Sequence, residues 1–300
     1  MSSTALPYAG RMRRQSWRVV AGTFGACLRY RVTGLAAEAA FFAILSLPPL
    51  VFGLAGAIGF VAQRFEVTTL AAFRQEVLAI ASRLLVPTAV EEVIAPTLDG
   101  VLSGGRFDIV SIGFVIALWS GSRALNVVVD TVTIMYGLAG HRSILRTRAL
   151  SFSLYTIFLV AAVILLPLVL AGPDLVDRIL PPRLAAVGYL YWPVVLLGSV
   201  ALVATLYHLS VPVRTPWRSD LPGAALTLLM WLAGSAVLRL VLGLSIGTTS
   251  IYGPLAAPIA VLIWLYLICL ALLVGAAFNA SLDSNPSRVV SHSVDASLKR

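Results

Sequence analysis

The sequence predicts an all-α, polytopic membrane protein with six transmembrane helices, and three observations predict it. Six apolar stretches are each long enough to cross a hydrocarbon core about 30 Å thick, a distance that takes roughly 20 helical residues. The composition of the 300 residues, 59% hydrophobic and only 12% charged with a mean hydropathy of +0.94, suits lipid as the main solvent. A soluble chain would carry about 25% charged residues. Arginines also gather at alternate ends of the stretches, as expected when basic residues concentrate in short cytoplasmic loops.

The first unit, residues 1–35, reads as a cytoplasmic interfacial helix. Over 11–31, Arg11, Arg14, Arg18 and Arg29 share one face at 3.6-residue periodicity, while Trp17, Val20, Phe24 and Leu28 occupy the other. Such a helix lies among the headgroups with its arginines near anionic lipid. The membrane domain, 36–282, follows, its first span being 36–62.

Segment 63–108 is the only sizeable extramembrane insertion and reads as an amphipathic outer helical hairpin. Leu70, Phe73, Val77, Ile80 and Leu84 mark its first helix, which Pro87 ends. Val90, Val93 and Ile94 begin the second, and Ser103-Gly104-Gly105 breaks the chain before span two. The remaining spans are 109–135, 149–171, 185–209, 221–245 and 254–280. The polar tail, 283–300, is expected to be disordered and cytoplasmic.

Charge sets the orientation. Arg11, Arg13, Arg14, Arg18, Arg29 and Arg31 precede span one with no acid among them. Arg142, Arg146 and Arg148 separate spans two and three, and Arg214 and Arg218 stand against Asp220 between spans four and five. The alternate connections are balanced, acidic or uncharged. Both termini are therefore expected in the cytoplasm, and with no cleavable signal apparent, the expected location is a bacterial inner membrane. Cys27 and Cys269 are not placed for an extracellular disulfide. The net charge of +9 is spread over these membrane-flanking loops, which argues against nucleic acid as a partner.

Ionisable groups inside spans are costly, so Glu38, Arg123 and Asp130 are the substrate-binding candidates, with Asn126 beside them. Arg123 lies near mid-span, where it costs at least ~2.5 kcal/mol unless compensated. The expectation is a guanidinium held within a wet or hydrogen-bonded bundle interior, with Glu38 as its partner. Arg239 is close enough to a span end to snorkel. Pro48 and Pro49 in span one, and Gly253, Pro254 and Pro258 opening span six, are candidates for helix breaks or gating.

Catalytic constellations are poor. His141, His208 and His292 fall in separate loops or the tail, at span ends where an interfacial histidine needs no further role. There is no HExxH, Walker A or paired CxxC, and Asp130, Asp220, His141 and His208 are too scattered for a metal-dependent nuclease. The expectation is a non-enzyme without metal or cofactor.

Several motifs resemble the YihY/BrkB family. Glu38-Ala-Ala-Phe41 followed by Leu45-Ser-Leu-Pro48 resembles its opening span. Trp119-Ser120, Ser122-Arg123, Asn126 and Tyr136-Gly137 before Arg142 are similar to its second-span block. Leu206-Tyr207, Pro212, Trp217-Arg218 and Pro222-Gly223-Ala224 resemble its fourth-to-fifth junction, and Tyr252-Gly253, Trp264-Leu265-Tyr266, Gly275-Ala276 and Asn279 its last span. The resemblance runs over roughly 30–282. It implies a six-helix bacterial inner-membrane protein whose relatives have been labelled ribonuclease BN or associated with serum resistance or transport of lipid precursors. One departure is Ala277, where the family commonly has glutamate.

The leading expectation is transport or flipping of a lipid or other amphiphile, with membrane lipids as partners and Arg123 contacting an anionic headgroup. With no ATP motif, movement would be gradient-driven or passive. The alternative is a non-catalytic scaffold in envelope assembly. A ribonuclease is disfavoured.

Overall fold

The computed structural model describes residues 6–62, 71, 74–75, 78–79, 82, 90–102, 107–179, 186–213, 216–245 and 253–283, and everything described is helix or short turn. The helices are α1 (Leu6–Arg29), α2 (Val32–Ala62), α3 (Ala95–Leu102), α4 (Phe107–Met135), α5 (Ile144–Ile179), α6 (Ala186–Ser210), α7 (Leu221–Ser245) and α8 (Gly253–Asp283). A wide helical turn, Val90–Ile94, leads into α3, and a tight one, Trp217–Asp220, into α7. Six helices, α2 and α4 to α8, are long and apolar enough to cross a membrane, as the hydropathy predicts.

The starts of α2, α5 and α7 and the ends of α4, α6 and α8 share one end of the bundle, which also carries Arg29, Arg31, Arg142, Arg146 and Arg218. Specific contacts bring this basic end together. Arg142 donates to the carbonyls of Leu209 and Ser210, each at 3.1 Å, so a cation sits on the orphan carbonyls that end α6. Gly137 at φ +72° ends α4 with paired bonds, from its own N–H to Ile134 (2.9 Å) and from Leu138 N–H to Thr133 (3.1 Å). Only glycine takes that left-handed position without strain.

The expected interfacial helix is α1. It packs on α8, with Gly22 against Ser281, and leaves Trp17, Val20, Phe24 and Leu28 exposed as an unpartnered apolar face. Its joint to α2 turns at Arg31, whose φ of +51° is unusual for a side-chain-bearing residue.

The core runs along α2, α4, α6 and α8, built largely from small residues. Ala36, Ala39, Ala204, Ala224, Ala276 and Ala277 are all buried, so backbones approach closely. This is how helices associate where lipid removes the hydrophobic drive between them. The tightest crossing joins α7 to α8. Asn279 accepts from Gly223 N–H at 2.7 Å and donates to the Asp220 carbonyl at 3.0 Å. The Tyr207 hydroxyl from α6 donates to the Leu272 carbonyl at 2.6 Å and lies 2.7 Å from Thr227 Oγ1.

Two expectations need correcting. Helix α2 runs unbroken through Pro48 and Pro49, and α8 begins at Gly253 and runs unbroken through Pro254 and Pro258, so none of these residues interrupts a helix. A proline removes one backbone bond and bends a helix more readily than it stops it, and in the first turn it removes none. Hydroxyls also serve carbonyls just before the α2 pair: Ser46 bonds Ala43 at 2.7 Å and Ser120 bonds Phe42 at 3.1 Å. Helix α5 is 36 residues long and contains the expected span 149–171.

In the outer segment, Leu98 is fully buried where α3 packs on α2, and Arg74 is clamped on Asp99 with Nη2 to Oδ2 at 2.9 Å. Most of the expected first outer helix, Pro87 and the tail beyond Asp283 lie outside the described residues.

Candidate functional site

One face of α4 is left open between α2 and α5, both of which pack on α4. From the far end toward the basic end it presents Ile112, Ile116, Trp119, Arg123, Asn126 and Asp130, a spacing of three and four residues that keeps them in one line, with Val115 beside Ile116. All are exposed except Asn126, which is half-buried. The upper part is therefore apolar and the lower part polar, with Trp119 at the change. Glu38, Phe41 and Leu45 are exposed on the neighbouring α2.

The expectation for Arg123 is thus overturned. Its side chain is not enclosed among helices but is exposed on the outer surface of the bundle, its guanidinium carbon 5.3 Å from the Phe42 ring centroid. Glu38 is exposed and does not pair with it; among the described residues no carboxylate oxygen lies within 4 Å of Arg123. The reason is angular, since the interior directions of α4 are taken by Gly121, Ser122, Val128, Val129 and Val132, which pack without room for a guanidinium. Arg123 stands twelve residues above the end of α4, about 18 Å along the axis. A cation–π contact supplies about 0.5–2 kcal/mol, less than the ~2.5 kcal/mol or more that a mid-membrane cation costs. Water or an anion must supply the rest.

Three candidates therefore share one strip, Arg123, Asn126 and Asp130, with Glu38 beside it. Asn126 is also tied to α5, its Oδ1 accepting from Ser151 at 3.3 Å. Sequence reasoning missed two members of this surface. Trp119 is 63% exposed, and Arg148 of α5, counted only as a loop cation, lays its guanidinium carbon 4.5 Å over the Trp119 ring. The i, i+4 spacing of Trp119 and Arg123 is a signal for the first; nothing in the sequence reveals the second.

A separate polar cluster sits at the basic end. Asp220 is 1% exposed, and its Oδ2 lies 3.3 Å from His208 Nδ1, close but not aligned for a hydrogen bond. These two residues, read from the sequence as unrelated span-end groups, are neighbours because Trp217–Asp220 folds back on α6. Tyr136 turns its hydroxyl into the same region without a hydrogen-bond partner, and burial, then the Asp220 charge, push that phenol well above its ordinary value. His141 is exposed. Among the described residues no group of three or more His, Cys, Asp or Glu side chains is placed to hold a metal ion.

The motif residues of the sixth span are packing residues here. Gly275, Ala276 and Asn279 form the α7–α8 crossing, and Ala277 is fully buried in the core.

The family described as Virulence factor BrkB matches residues 23–296, which takes in the whole open strip and the bundle around it. The chain is also similar to the putative ribonuclease-like protein YfkH of Bacillus subtilis (strain 168), 25% identical over 271 residues that cover 83% of this chain and 92% of that one. No solved structure matches. With six apolar helices in that span of sequence, the chain is a membrane protein that belongs to the virulence factor BrkB family.

Proposed function

We propose that the protein moves an amphiphile with an anionic headgroup along the open face of α4, between the leaflets of a bacterial inner membrane, with both termini cytoplasmic. The observation that carries this reading is the half-polar strip. Arg123, Asn126 and Asp130 descend in line from mid-membrane to the basic end, Arg123 and Asp130 exposed and Asn126 half-buried between them. Over that half of the crossing a headgroup keeps polar contacts while its chains stay in hydrocarbon. The reading needs no catalysis, cofactor or nucleotide.

Its test is transbilayer movement of a fluorescent short-chain anionic phospholipid in vesicles holding the purified protein. The full chain accelerates movement over empty vesicles, and Arg123→Ala slows it about tenfold, the loss of one charge-assisted contact. Equal rates for the two proteins would overturn the reading.

A second reading, a non-catalytic scaffold, has one observation in its favour: Arg123 lies on the outer surface rather than in an enclosed cavity. It expects partner proteins to cover the strip, and cross-linking from position 116 or 119 in whole membranes would capture protein rather than lipid.

A further inference from the structure

Arg148 points the wrong way for an ordinary boundary arginine. It lies in the second turn of α5, at the basic end, where snorkelling would carry the guanidinium outward to the headgroups. Three residues further on, Ser151 pairs with Asn126, which fixes the register of α5 against α4. Trp119 is seven residues from Asn126 on the side away from the basic end, about 10 Å along the axis. Since Arg148 lies over Trp119, its side chain must reach toward the bilayer middle.

What it finds there is incomplete. Both terminal nitrogens of Arg148 are shut off from solvent with no hydrogen-bond partner. Arg123 is four residues from Trp119 on the same open face of α4, one helical turn from the ring that Arg148 covers. Among the described residues no carboxylate oxygen lies within 4 Å of either guanidinium. Two neighbouring cations, one with its donors unsatisfied, form a stable arrangement only when an anion joins them. A guanidinium offers a planar fork of N–H donors that matches phosphate oxygens.

We propose that Arg148 and Arg123 together form a site for a phosphate-type anion, with Trp119 and Phe42 as its apolar walls. The proposal deepens the transport reading and rests on it only for the source of the phosphate, a lipid headgroup. Two positive charges favour a phosphate monoester, which carries up to two negative charges, over a zwitterionic headgroup.

Native mass spectrometry of the full chain in detergent tests this with three probes: dihexanoyl phosphatidic acid, dihexanoyl phosphatidylcholine and inorganic phosphate. Phosphatidic acid is expected to bind at least about tenfold more tightly than phosphatidylcholine. Arg148→Gln is expected to remove most of that preference, and Arg148→Lys, which keeps the charge but loses the fork, to keep part of it. Trp119→Leu, on the lipid-facing surface, should weaken binding without loss of fold. Should Arg148→Gln not fold, the lysine and leucine variants decide the matter. Equal binding of the two lipids, or unchanged phosphatidic acid binding in the Arg148 or Trp119 variants, overturns the site. Inorganic phosphate bound as tightly as the lipid supports the anion site but makes a soluble anion its ligand, which counts against lipid transport. Loss of binding in Arg148→Gln with lipid movement unchanged likewise leaves the site standing and removes the transport reading.

Discussion

A Cβ atom on Gly275 would lie 2.6 Å from the carbonyl oxygen of Gly223 and 2.7 Å from the hydroxyl of Tyr207. Helices α7 and α8 therefore meet backbone to backbone, and the hydrogen bonds of Tyr207, Thr227 and Asn279 close around that point. Because the clashing atoms are a backbone carbonyl and the hydroxyls of Thr227 and Tyr207, which are held in buried hydrogen bonds, the neighbours cannot yield without breaking those bonds. Gly275→Ala is expected to cost about 3 kcal/mol, seen as a lower thermal midpoint or loss of folded protein in detergent. Gly234→Ala, which meets only the flexible Leu267 side chain at 3.4 Å, should leave the midpoint almost unchanged.

Arg142→Ala removes a cation that holds the last carbonyls of α6. Hydrogen bonds from a charged donor contribute about 1.5–3 kcal/mol, reduced here because the side chain is partly exposed. A destabilisation of about 1 kcal/mol is expected, with faster amide exchange confined to the end of α6. Arg142→Lys should recover only part of it, since one ammonium cannot reach several carbonyls in the same geometry.

Glu38 and Arg123 do not touch, so they should behave independently. Glu38→Gln and Arg123→Gln are each expected to leave the fold intact, and a double-mutant cycle on thermal stability should give a coupling below about 0.5 kcal/mol. A larger coupling would mean that the two side chains meet in the membrane.

How much of this was legible beforehand follows from what each feature depends on. The six spans rest on local hydropathy, which the sequence carries directly, and the exposed apolar face of α1 rests on the opposition of Trp17, Val20, Phe24 and Leu28 to its arginines. The placement of Arg123 does not. A lone arginine in an apolar run is expected to hide inside the bundle, but the small residues Gly121 and Ser122 mark the inner face of α4 and leave Arg123 outside. The inward reach of Arg148 and the meeting of His208 with Asp220 depend on the register between helices far apart in sequence, which no periodicity within one helix records. The prolines misled because their donor deficit is absorbed by a continuous helix.

The Arg74–Asp99 clamp makes the outer segment sensitive to acid. The hydrogen bond from Arg74 holds the Asp99 carboxyl below its ordinary value, so the folded state binds that proton less readily than the unfolded one. The clamp's contribution is therefore present above the usual carboxylate range and is lost as pH falls through the lowered value. Amide exchange in α3, corrected for intrinsic rates, should speed up as pH falls below about 4, and Asp99→Asn should make the same change at neutral pH. Both residues are well exposed, so added salt should weaken the clamp too.

The ring of Tyr155 lies directly on Gly121, with no space for even a methyl group between them. That contact gives the long α5 a fulcrum. From Tyr155 to Ile179 is a lever of 24 residues, about 36 Å, whereas Arg148 lies only about 10 Å down the other arm. A rocking of 5° would sweep the far tip by about 3 Å while displacing the Arg148 backbone by less than about 1 Å. Bilayer forces that tug the distal arm would thus reach the guanidinium as a small, geared-down adjustment.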